Sequence, residues 1–200
     1  MSEIVYRWSG MLLTAGAGLL GIAIVIISLR PVMDQPLSPG ACLLLLIASI
    51  LLLLSLPAMY VRQANAAGWL GLVGHALLQS GAVFLVMVSA TPVLYPSFNN
   101  PPGESVIAFV LGIALTLGLL LTGVATIRAE VFPRWAGILL LLAMAGFFFD
   151  FFVAEFLPPS AGQIGSAAFG VVLALALAWI GVDLWIGKLG PVIGQVTSTR

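Results

Sequence analysis

A chain of 200 residues with 62% hydrophobic and 7% charged side chains and a mean hydropathy of +1.21 cannot cover a water-soluble surface, which takes about 25% charged residues. Seven basic and seven acidic residues cancel, which argues against nucleic acid or another polyanion as partner. The single Cys42 excludes an internal disulfide and lacks the companions of a zinc or iron-sulfur site, so composition places the chain in the membrane class with the lipid bilayer as its first partner.

Apolar runs of about 18 or more residues, long enough to cross a hydrocarbon core of about 30 Å, occur at 9–29, 41–61, 69–90, 106–127, 135–156 and 163–186. In lipid the backbone polar groups must be satisfied within each segment, and runs of this length without alternating polarity are helices rather than barrel strands. The predicted fold is all-α, a polytopic membrane protein of six transmembrane helices arranged as three consecutive hairpins, with residues 1–200 forming one transmembrane domain.

The first segment follows Arg7 and has the outline of a signal peptide, but its run of about 20 apolar residues exceeds the usual signal core of about 7 to 15. It is expected to stay as a membrane helix. The second opens with Cys42, read as a small apolar helix residue. The third carries a polar stripe: at about 100° per residue, Gly68, Gly71, His75, Gln79, Ala82, Val86 and Ser89 share one side. Small residues there admit a neighbouring helix and the amide and imidazole hydrogen-bond across the gap. The same side chains also read as a polar path of His75, Gln79, Thr116 of the fourth segment and Asp150 of the fifth, since ionisable groups in lipid are costly and mark function.

Depth limits that path. Counting about 1.5 Å per residue from the tryptophan nearest each segment start, His75 lies about 9 Å, Gln79 about 15 Å and Asp150 about 22 Å from one membrane face. A direct contact between His75 and Asp150 would bridge about 13 Å and does not reach. Haem ligation needs a second imidazole, and His75 is the one histidine. A nucleophile is also missing, because Cys42 starts its helix at the opposite face. No catalytic residue, cofactor or metal site is predicted.

The fifth segment opens with Val131-Phe132-Pro133-Arg134-Trp135-Ala136-Gly137-Ile138-Leu139-Leu140 and runs on to a glycine, aromatics and Asp150. This stretch resembles the Pro-Arg-Trp segment in late helices of bacterial multi-pass membrane families of unknown function. The resemblance covers about one helix, implies a bacterial inner-membrane protein, and carries no site. Within Gly146 to Phe156, Asp150 shares a helical side with Ala143, Gly146 and Ala154, while Phe148 and Phe152 point away. Gln163 or Ser166 is the expected donor to Asp150, and Glu155 reaches the headgroups. In the sixth segment Ser166, Gly170, Ala174 and Ala178 recur every four residues as a helix-packing groove, within the fold or between subunits. Asp183 is expected to be paired or solvated at the membrane face.

A repeat runs through the odd segments: Arg7-Trp8-Ser9-Gly10, Gly68-Trp69-Leu70-Gly71 and Arg134-Trp135-Ala136-Gly137. Tryptophan beside arginine anchors a helix end at the headgroups. Arg7, Arg62, Arg128, Arg134, Lys188 and Arg200 fall on the side of the termini and Arg30 on the other, so both termini are expected in the cytoplasm. The functional expectation is a non-enzymatic integral membrane protein, stand-alone or an accessory subunit of a membrane complex. The alternative is a small-solute or proton-linked transporter using the polar path.

Overall fold

In the computed structural model the described residues are 3–28, 38–94, 104–152 and 159–186. They form five helical elements and, among the described residues, no strand: α1 (Glu3–Ser28), α2 (Pro39–Leu94), α3 (Glu104–Ala129), α4 (Arg134–Phe152) and α5 (Pro159–Ile186). By length and composition four are able to cross a membrane: Ile4–Ser28, Pro39–Leu94, Gly112–Ala129 and Gly162–Ile186. Arg134–Phe149 is a shorter apolar helix, and residues 153–158, where the fifth predicted segment ends, lie outside the described ones.

The 56 residues of α2 would make a straight rod of about 84 Å, but the element doubles back. Gly68 has φ 58° and ψ −150°, a combination open in practice to glycine alone, and it splits α2 into arms 39–67 and 69–94. Across the fold the Tyr60 and His75 rings stack at 5.0 Å, and Gln79 Nε2 donates to the Leu53 carbonyl at 3.0 Å. The segment between the second and third apolar runs, expected as a connection, is helix up to Gly68. Its alanines and absence of proline favour continuing the helix. Pro39 starts α2 at a position where its missing N–H costs nothing, and Ser38 caps the end by accepting from Ala41 N.

Extensive packing runs from α1 to α2, α2 to α3, α3 to α4, α4 to α5, and from α5 back to α1. The helices thus close a ring. The tryptophan repeat explains part of its packing, since residues two apart on a helix point to nearly opposite sides. Trp8, Trp69 and Trp135 are 60%, 73% and 68% exposed on the perimeter, whereas Gly10, Gly71 and Gly137 are buried. A Cβ on Gly10 would lie 2.6 Å from Gly181 O and Trp185 N, and one on Gly137 2.9 Å from Gly123 O. Each repeat presents an aromatic outward; inward, Gly10 and Gly137 admit a neighbouring backbone, while Gly71 faces the Cβ atoms of Ala67 and Ala125.

The outer wall carries Ile22, Leu54, Leu72, Met87, Leu142 and Leu175 as exposed side chains. A soluble monomer does not expose contiguous apolar surface on this scale; a hydrocarbon environment removes the conflict. The interior core includes Leu13, Leu56, Met59, Leu119, Leu140 and Ile180.

Candidate functional site

The polar residues singled out on α2 and α3 have structural partners. Pro57 lies inside the first arm and has no N–H for the carbonyl four residues back, which is that of Leu53. Gln79 Nε2 supplies the missing donor at 3.0 Å. In lipid an unsatisfied carbonyl costs several kcal/mol, so the glutamine repairs a defect introduced by a proline on the facing arm. Its Oε1 is buried without a partner among the described residues. His75 is buried with its ring on Tyr60, and the Thr116 hydroxyl donates to Gly112 O of its own helix at 2.7 Å. No hydrogen bond among the described residues joins His75, Gln79 and Thr116. Asp150 belongs to α4, while its side chain and Glu155 lie outside the described parts.

Two members of the four-residue series on α5, Gly170 and Ala174, meet α1. Ser166 donates to Gly162 O, Ile24 packs over Gly170, and Ala174 faces Gly21. Ala178 packs against the core cluster. Gly181, one turn on, lies beside Thr14 and Gly10. On α4, the Phe169 ring occupies the place a Gly146 side chain would take, and Phe148 points outward.

One end of the ring is closed by groups that sequence reading did not combine. Arg62, at the end of the first arm of α2, donates through Nη1 to the Asp183 backbone carbonyl at 2.9 Å. Its Nη2 lies 3.3 Å from Asp183 Oδ2, close enough for charge pairing but off the hydrogen-bond direction, since that oxygen has no hydrogen-bond partner. The same guanidinium sits 5.2 Å over the Phe132 ring. Beside it the fully buried Gln63 Oε1 accepts from Thr126 Oγ1 at 3.3 Å. Gln63 Nε2 and Thr122 Oγ1 have no partner among the described residues. The connection from α3 to α4 fixes this end: Glu130 takes a left-handed φ of 52° as a helix C-terminal residue does, pairs with Arg134, and brings the buried Phe132 under Arg62. All four described arginines, Arg7, Arg62, Arg128 and Arg134, belong to this end.

The other half of the ring interior holds a partly enclosed cavity of about 350 Å³ lined from all five helices, by Ile24, Leu52, Leu78, Leu119, Ala143 and Leu177 among others. Its polar lining among the described residues is Ser28, Gln163 and Ser166. A volume of this order falls in the range of ordinary ligand sites. Walls of this kind offer a water few partners.

The chain matches no protein-family model, no curated protein and no solved structure. The stretch around Pro133-Arg134-Trp135 is therefore a resemblance without an assigned family. Among the described residues no group of three or more His, Cys, Asp or Glu side chains is placed to hold a metal.

Proposed function

We propose that this chain is a non-enzymatic integral membrane protein of the bacterial inner membrane, stand-alone or an accessory subunit of a membrane complex. Six crossing segments pair as three consecutive hairpins in one transmembrane domain, and both termini are cytoplasmic. The observation that carries this reading is the division of the surface. The perimeter is apolar along the helices, while Trp8, Trp69, Trp135 and four arginines gather at one end, the distribution that sets orientation in a bilayer. Packing of α1 on α2, of α2 on α3 and of α4 on α5 supports the reading, with the side-by-side arms of α2 joining the first hairpin to the second. Alkaline carbonate washing of native membranes tests the reading: the chain stays in the pellet, and release into the supernatant would overturn it. Purification in mild detergent then separates its two versions, since a constant companion supports the subunit and a single chain the stand-alone protein.

A second reading is transport of a small solute or proton along His75, Gln79, Thr116 and Asp150. The buried, unpartnered Gln79 Oε1 favours it. Replacing each of the four by a nonpolar residue then abolishes flux into proteoliposomes while insertion persists; unchanged flux sinks the path.

A further inference from the structure

The cavity in the ring has a direction. Thr14 beside Gly181, Gly21 beside Ala174 and Ile24 over Gly170 set an antiparallel register between α1 and α5. Carried one turn further, that register sets Ser28 level with Ser166, so the polar lining residues Ser28, Gln163 and Ser166 gather at one end. From there the walls run through Ile24 and Leu173 to Leu56, Leu119 and Leu177. Below them Ile180 and Leu184 are fully buried, and Arg62 and Asp183 close the ring. The cavity is a pocket with a polar end and an apolar floor.

Its length suits one kind of molecule. Ser166 to Leu177 is eleven residues along α5, about 16 Å of helix, and one lipid chain reaches about half of a 30 Å hydrocarbon core, or about 15 Å. The described lining contains no charged side chain to pair with an ionised head, and a buried charge without such a partner is costly. Hydroxyl and amide groups at the polar end match an uncharged head. Resting on the membrane reading above, we infer that this cavity binds a neutral single-chain amphiphile, its hydrocarbon chain among Leu52, Leu78, Leu119 and Leu177 and its hydroxyl-bearing head at Ser28, Gln163 and Ser166.

The test uses the full chain in phosphatidylcholine nanodiscs and a hexadecanol analogue with a photoreactive group at the chain end. Illumination and peptide mapping are expected to place the label on the floor residues Leu119 and Leu177, and excess hexadecanol to displace it. Hexadecane is expected to compete less well, because it has no hydroxyl to hydrogen-bond at the polar end. Ala82→Phe and Ala143→Phe fill the cavity from two different helices, and each is expected to abolish interior labelling; either one suffices provided it still inserts and keeps the unfolding transition of the parent. Labelling confined to outward residues such as Leu142 and Leu175, or interior labelling untouched by a filling variant that folds, overturns the inference. Stronger competition by palmitate than by hexadecanol overturns the neutral head. A chain absent from the membrane fraction would instead refute the membrane reading, so the two failures are told apart.

Discussion

The two ends of the ring are built on different principles. At the Arg62 end, backbones come within contact distance, a guanidinium and a carboxylate meet, and Gln63, Thr122 and Thr126 are buried. Toward Ser28 and Gln163 neighbouring helices touch through side chains, Ile24 over Gly170 and Phe169 on Gly146, and surround a largely apolar cavity. In lipid there is no hydrophobic drive to bring one apolar helix onto another, and association relies on close packing and interhelical hydrogen bonds. One end of the ring therefore carries the specific contacts that hold these apolar helices in one arrangement. The other end, with no charge pair among its described residues, leaves room for a ligand.

Added bulk breaks or sharpens this contrast most strongly. Gly10→Leu pushes a side chain into the Gly181 carbonyl and the Trp185 amide, where a Cβ already lies at 2.6 Å, and is expected to cost about 3 kcal/mol or more. Ala82→Leu, facing the cavity, is expected to cost less than about 1 kcal/mol. Reversible SDS unfolding in mixed micelles measures both, and equal losses would erase the distinction between the ends.

Removing charge at the closed end comes next. Arg62→Met leaves Asp183 partly buried without its cation and is expected to destabilise by about 2–3 kcal/mol, below the full range for buried pairs because the Asp183 side chain is 29% exposed. Adding Asp183→Leu is expected to restore part of the loss, and a double-mutant cycle with no coupling would contradict the pairing.

The fold of α2 tests how the ring is joined. Gly68→Ala adds a Cβ that meets nothing within 4 Å, so its whole effect is the backbone conformation, about 1–3 kcal/mol. Gln79→Leu is expected to cost about 1 kcal/mol in the parent and close to nothing in Pro57→Ala, where the new amide donates to Leu53 again. A loss independent of residue 57 would show that Gln79 acts through something other than that carbonyl. The smallest effect belongs to the exposed Glu130 and Arg134 pair, where Glu130→Gln changes stability by no more than about 0.5 kcal/mol.

Much of this was legible in the sequence, for definite reasons. Long apolar runs identify helices because lipid leaves the backbone no other partner. The Trp, one residue, Gly repeat marks outward and inward sides because its spacing is fixed by helix geometry. The end of α2's first arm was less legible: Arg62 to Gly68 contains a charged and two amide residues and reads as a connection, yet it is helix that aims Arg62 and Gln63 at α5 and α3. Gln79 was visible as a polar group in lipid, but its partner was not, because the carbonyl freed by Pro57 lies on another arm and only the fold joins them. The candidate path has the same difficulty. His75 and Gln79 share a helical side, but that side faces the first arm of α2, and each side chain has its contact there. The cavity was invisible, since no single leucine among those lining it differs from its neighbours in sequence.

The central claim is that the Arg62 end faces the cytoplasm and the opposite end of α2 the outside. Single cysteines introduced after Cys42→Ala test it directly, with Asn65→Cys and Gly40→Cys both at exposed positions about 37 Å apart along the first arm. In intact cells a membrane-impermeant maleimide is predicted to label Gly40→Cys and to reach Asn65→Cys only after the membrane is opened. Labelling of both from the same side, or of Asn65→Cys alone in intact cells, would contradict the account.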